Sequence, residues 1–170
     1  VYQIYQQADA NVTARATVPI LWCKQTNTIV NNESADLMEM FNGPLRALGN
    51  SDVPDLYPAE LSESMKYWNR RIYETVNNGV YRCGFATSQS AYEQAFGELF
   101  STLDALEAQL GDSEFLFGEQ ITATDWRLFV TLLRFDLVYF DHFKCNRQQL
   151  MSFPKLWRYT RELFSQPGVR

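Results

Sequence analysis

Histidine is nearly absent from this chain, cysteine is scarce, and positive charge is outnumbered. The single histidine, His142, has no cysteine or second histidine at ligand spacing, so no metal site is expected. The three cysteines, Cys23, Cys83 and Cys145, fall at no metal-ligand or redox spacing. Their odd number, with no secretion signal at the start, reads as free thiols in a reducing cytosol, so a cytoplasmic location is expected. Lysine and arginine number 15 against 20 aspartates and glutamates, and the net charge of −5 gives no electrostatic reason to expect nucleic acid or an anionic membrane as partner. No apolar run approaches the length of a membrane span. What is present in quantity is apolar and aromatic: 46 % hydrophobic and 15 % aromatic residues argue for a packed core rather than disorder. At 170 residues one sizeable domain can form, burying roughly 68–70 % of its unfolded surface.

The stretch Val18 to Phe41 organises the rest. Val18 to Cys23 is apolar except at Pro19, Lys24 to Asn27 is polar, and Thr28 to Val30 is β-branched, which predicts a hairpin. Val-Pro at the first strand's start raises the chance of a cis bond. Glu33 and Ser34 come next, where the backbone enters a helix, with Leu37, Met40 and Phe41 at helical spacing behind them. A helix start carries unpaired N–H groups and partial positive charge, so it is suited to a carboxylate.

Elsewhere the pattern is helical. Val1, Ile4, Tyr5 and Ala8 share a helix face, so the chain opens inside an element. Residues 43–58, with Gly43, Pro44, Gly49, Pro54 and Pro58, read as a linker between residues 1–42 and 59–170. Leu61, Met65, Trp68, Ile72 and Val76 form one stripe, with Asn77-Asn78-Gly79 as its expected stop. Ser90 and Glu93 stand at capping-box spacing before a helix that Gly111 ends, and Thr122 with Asp125 makes a second box, with Ile121 and Trp126 as its staple. Phe129, Leu132, Leu133, Leu137 and Phe140 predict a central helix behind that box, and Pro154 opens a last helix.

Three segments carry a resemblance: V-P-I-L-W-C-K-Q-T-N-T-I-V-N-N-E-S, Y-E-T-V-N-N-G-V-Y-R-C-G-F-A-T (73–87) and D-W-R-L-F-V-T-L-L-R-F-D-L-V-Y-F-D-H-F-K-C-N (125–146). Together they closely resemble the glutathionyl-hydroquinone reductases, or xi-class glutathione transferases. The resemblance implies a mainly α fold: a glutathione-transferase C-terminal-like helical domain over 59–170, with a β-hairpin and helix of a thioredoxin-like domain over 1–42. The family's nucleophile is a cysteine in a Cys-Pro-Trp-Ala motif upstream of the Val-Pro segment, and these residues contain no such motif. The expectation is a truncated, catalytically silent member that lacks the first strand, first helix and second strand. The alternative is an active reductase when complemented by the missing half.

By resemblance, Val18 offers its backbone to the cysteinyl part of glutathione, the expected cofactor, while Glu33 takes its α-ammonium and Ser34 its γ-glutamyl carboxylate. Read without the family, Asn32 or Ser34 caps the helix and Glu33 answers the dipole. Tyr81 and Tyr139 stand where the family lines its hydroquinone pocket; a phenol can donate to a quinol oxygen while its ring packs on the aromatic. The plainer reading is two core or rim tyrosines among nine. Cys23, where the family has aspartate, sits at a strand end beside Lys24 and reads as a bystander. Ala10, Val12 and Ala14 depart from the family's Pro, Tyr and Gly. The expected partners are a quinol-type small molecule and a second copy of the chain, paired through the Val18–Cys23 edge or by crossing over of residues 1–14.

Overall fold

The computed structural model describes residues 1–49 and 54–169, in two compact units, Val1–Asp55 and Leu56–Arg170. Part of the expected 43–58 linker, residues 50–53, lies outside the described residues.

The first unit opens with helix α1 (Tyr2–Ala8), followed by strands β1 (Leu21–Cys23) and β2 (Thr28–Asn31) and helix α2 (Ser34–Asn42). The strands pair antiparallel, Trp22 opposite Ile29 and Cys23 opposite Thr28, with a bulge between Leu21 and Trp22. The turn between them uses Asn27 in the left-handed region at φ 49°, which asparagine tolerates better than most residues. The strand is shorter than the apolar run: Val18 precedes it, and the Val18–Pro19 bond is cis. Helix α1 lies against β2 of its own chain.

The second unit is helical: α3 (Ser62–Ile72), α4 (Gly79–Gly84), α5 (Gln89–Leu110), α6 (Ala123–Leu132) and α7 (Pro154–Ser165). Its core joins Ile72, Val80, Leu99, Leu103, Leu106, Leu128, Leu132, Phe135, Leu156 and Leu163, each 1 % exposed or less. Three sequence expectations need correction here. Asn77-Asn78-Gly79 does not end the helix; a π-helical turn (Tyr73–Asn77) carries the chain from α3 into α4. The Asn77 amide is satisfied instead by the Arg127 carbonyl (3.0 Å) and the Thr131 hydroxyl (2.6 Å). The cap of α5 is Ser88, whose hydroxyl accepts the Ala91 N–H at 3.2 Å, not Ser90. The predicted helix through Phe140 breaks after Leu132 into a second π-helical turn, Phe135–Tyr139. An inserted residue rotates the downstream part of a helix by about 100°, and Leu137, expected in the core, is 82 % exposed.

The box at Thr122 and Asp125 forms as the sequence predicts and extends further than its two residues. Asp125 Oδ2 accepts the Thr122 N–H and hydroxyl, both at 2.7 Å. Its Oδ1 accepts the Leu116 N–H and the Tyr159 hydroxyl, both at 3.0 Å. The carboxyl thereby ties α6, the preceding loop and α7 together in the interior. Similarly, α7 takes its cap from afar: Glu107 of α5 accepts the Lys155 and Leu156 N–H groups, both at 2.8 Å.

Candidate functional site

In the first unit the candidate residues lie on two short segments braced by one buried tyrosine. The Tyr5 hydroxyl donates to the Thr17 carbonyl at 3.0 Å and accepts the Asn32 amide at 2.9 Å. The Thr17 hydroxyl, foremost, and then the Thr17 N–H and Asn32 amide hold the Tyr5 phenol below its ordinary pKa. Tyr5 thus fixes the residue before Val18 to the residue before Glu33. Val18 itself is 69 % exposed, and among the described residues its N–H and C=O have no hydrogen-bond partner.

Neither sequence-based cap of α2 forms. Asn32 is turned to Tyr5 and Thr17, Ser34 is the first helical residue, and the N-cap is Glu33, whose side chain makes no cap bond. Asn31 acts instead, accepting the Glu33 N–H at 2.6 Å and donating to Asp36 at 3.1 Å. The Glu33 carboxylate and Ser34 hydroxyl stay exposed beside the helix start. An Asx turn two residues ahead of a helix is the signal in Asn31-Asn32-Glu33 that pattern reading passed over.

The second unit brings Tyr81 and Tyr139 together, although 58 positions separate them in sequence. Their hydroxyls are 3.1 Å apart and their rings meet edge to face at 5.6 Å. Each comes after or closes a π-helical turn, Tyr81 on α4 and Tyr139 as the last residue of Phe135–Tyr139. Phe143 packs at 5.4 Å from both tyrosines and from Phe85, and Phe85 stacks on Tyr81 at 6.3 Å. Tyr139 is 4 % exposed and Tyr81 43 %. Burial, then the Tyr81 hydrogen bond, pushes the Tyr139 phenol up to about 12. Either hydroxyl can donate in this bond, and Tyr81 is the partner that also faces outward. Phe85, Phe143 and Gly84 belong to this cluster and were not singled out from sequence. A β-carbon at Gly84 would stand 2.1 Å from Phe143 Cδ1, so only glycine lets that ring close on α4.

Residues 89–162 match the model of the glutathione S-transferase C-terminal domain. Over 99 % of its length the chain is 45 % identical to glutathionyl-hydroquinone reductase YqjG of Escherichia coli and 47 % identical to PcpF of Sphingobium chlorophenolicum. Its backbone overlays the glutathione-bound YqjG structure with a TM-score of 0.94 at 45 % identity, covering 99 % of this chain and 54 % of that one. The overlay on the xi transferase of Phanerochaete chrysosporium gives 0.95 at 44 % identity, covering 99 % and 58 %. Along nearly its whole length the chain is thus similar to one half of glutathionyl-hydroquinone reductases and xi-class glutathione transferases. It spans about half the length of the relatives it matches: 51 % of YqjG and 53 % of PcpF.

A mainly helical C-terminal domain with a two-stranded hairpin is the xi-class architecture expected from the resemblance, and it is the fold found. Among the described residues no helix is long and apolar enough to cross a membrane. Cys23 is half-buried at the end of β1, where the Thr26 hydroxyl, then the Thr26 and Gln25 N–H groups, lower its thiol. These groups are turn donors, not a helix start.

Proposed function

We propose that these residues supply the substrate-binding half of a glutathionyl-hydroquinone reductase and do not by themselves carry its thiol chemistry. The observation that supports this best is the Tyr81–Tyr139 pair: one phenol buried, the other exposed, hydrogen-bonded to each other on an aromatic wall. A quinol hydroxyl placed at Tyr81 would share a hydrogen bond with the exposed phenol while its ring packs on Phe85 or Phe143. Val18, with its free backbone groups, and the exposed Glu33 and Ser34 at the start of α2 are proposed to hold glutathione: the γ-glutamyl carboxylate at the helix start, the α-ammonium on Glu33. The reductase reaction requires a thiolate attack on the glutathionyl sulfur and release by a second glutathione. No cysteine of these 170 residues stands in a Cys-Pro-Trp-Ala motif.

Purified as this 170-residue chain, the protein is expected to show no glutathione-dependent reduction of a glutathionyl-hydroquinone above the uncatalysed rate. Turnover that vanishes in Cys23→Ser would transfer the nucleophile's role to Cys23 and overturn the proposal. Activity that returns on adding the segment bearing Cys-Pro-Trp-Ala would favour the complemented reductase.

Hydroquinone is expected to bind weakly and glutathione more weakly still. Loss of one neutral hydrogen bond in Tyr81→Phe should weaken hydroquinone by about two- to tenfold. Calorimetry in which glutathione binds tightly and hydroquinone not at all would reverse the assignment.

The β1 edge supports a further expectation, a homodimer. Among the described residues β1 pairs with β2 alone, so its outer side is a template for pairing. Lys24 is the nearest charge and lies beyond the strand. Sedimentation should show dimer that Leu21→Lys dissociates; a monomer at every concentration would end this reading.

A further inference from the structure

Arg71, near the end of α3, is half-buried and has no carboxylate partner among the described residues. Its Nε–H donates to the Thr102 hydroxyl at 3.1 Å, one Nη1–H to the Tyr67 hydroxyl at 3.2 Å and one Nη2–H to the Ser101 carbonyl at 3.3 Å. All three acceptors are neutral. The guanidinium also lies over the Trp68 ring, 5.5 Å from its centroid. Thr102 belongs to α5 and is 1 % exposed, so the charged head is held from the buried side. A guanidinium carries five N–H donors, and these bonds leave two of them unused. Arg71, Tyr67 and Arg70 form part of the wall of a cavity of about 440 Å³. The remaining charges of that wall are Glu63 and Lys66, which pair with each other at 2.7 Å, and Glu74. Three cations against two carboxylates leave one positive charge on the cavity. The Tyr67 hydroxyl accepts from Arg71, and its own proton has no acceptor among the described residues.

We propose that this cavity binds the carboxylate of a small organic acid, with Arg71 and Tyr67 as its donors. The two unused N–H groups of Arg71 and the Tyr67 O–H donate to the carboxylate oxygens, and Arg70 adds a second positive charge nearby. A planar guanidinium held in one orientation suits a planar carboxylate, and little side-chain freedom is left to lose on binding. The single excess charge matches a monoanion. A phosphate dianion would bring a second negative charge toward Glu74, which opposes it. The ring of Tyr67 is exposed and gives an apolar or aromatic body a surface to cover. None of these side chains belongs to the Tyr81–Tyr139 cluster, so the inference is independent of quinol binding and of the reductase reaction.

The test titrates benzoate into the 170-residue chain by calorimetry at low ionic strength, with benzyl alcohol as its uncharged counterpart. Benzoate is expected to bind and to weaken as salt is added, while benzyl alcohol gives no saturable heat. Arg71→Gln should weaken benzoate by about tenfold or more, and Tyr67→Phe by about two- to tenfold. Glu74→Gln should tighten it, an effect that a merely structural role for these residues would not produce. Absence of benzoate binding would overturn the proposal, as would equal binding of benzyl alcohol. So would wild-type affinity in both Arg71→Gln and Tyr67→Phe, or inorganic phosphate binding more tightly than benzoate. Should Arg71→Gln fail to fold, Tyr67→Phe and Glu74→Gln, both at exposed positions, decide the matter.

Discussion

Asp125→Ala should remove about 4 kcal/mol or more of stability, the largest single loss expected anywhere in the chain. The carboxyl is fully buried and accepts four donors, from the Leu116 and Thr122 N–H groups and the Thr122 and Tyr159 hydroxyls. Alanine leaves all four without a partner in the interior, where each lost bond costs roughly 1–3 kcal/mol and partial relaxation recovers some of it. Against a total of about 5–15 kcal/mol for a domain, that is a large share. Asp125→Asn is the sharper probe, because it keeps one acceptor oxygen and turns an amide N–H₂ toward the other donors. Burial, outweighing these hydrogen bonds, raises the Asp125 carboxyl above its ordinary value. Linkage then fixes the sign. For a carboxyl raised in the folded state, the contribution is complete below the unfolded value of about 3.9 and is lost as pH rises through the folded value. Urea unfolding should therefore show wild type ahead of Asp125→Asn by most at the acid end, with the gap narrowing upward. A pH-independent gap would mean that the carboxyl titrates alike in both states.

Gly84→Ala is expected to have the largest effect on the candidate pocket. The added methyl would meet Phe143 at 2.1 Å from Cδ1 and 2.7 Å from Cγ, well inside contact distance. Phe143 must swing away, and that ring is in contact with Tyr81, Tyr139 and Phe85 alike. Overpacking of this kind costs about 1–3 kcal/mol. The change in near-UV circular dichroism should be marked while far-UV helicity is retained, and hydroquinone affinity should fall further than in Tyr81→Phe. An unchanged aromatic spectrum would show that the ring has room which the backbone of α4 does not reveal.

How the chain divides between legible and illegible depends on the range of the interactions. Helix existence was readable because apolar spacing and caps are local: Thr122 and Asp125 lie three residues apart, and Pro154 opens α7 where a first-turn proline fits. The hairpin was readable from the polar Lys24–Asn27 between two apolar runs, and the xi-class resemblance from long runs of residues spread along the chain. Two π-helical turns were not readable, because an inserted residue leaves no mark in composition and is stabilised by distant partners, as Asn77 is by Arg127 and Thr131. For the same reason Leu137 was expected inward and points outward. The cap of α7 was hidden too, since Glu107 lies 48 positions before the N–H group it accepts.

The site divides along the same line. Sequence named Val18, Glu33, Ser34, Tyr81 and Tyr139 only through resemblance, since each residue type alone is common. It could not say that Asn31 rather than Asn32 or Ser34 would satisfy the start of α2, because two adjacent asparagines are locally equivalent until Tyr5 and Thr17 claim one of them. Nor could it join Tyr81 to Tyr139 across 58 positions, or place Phe143 against the one glycine that admits it. By itself the sequence determined the fold class, through periodicity and capping, which act within a few residues, and the resemblance, through long matching segments. Tertiary structure alone decided which hydroxyl is buried and which faces outward, because burial and long-range hydrogen bonds exist only once the helices have packed.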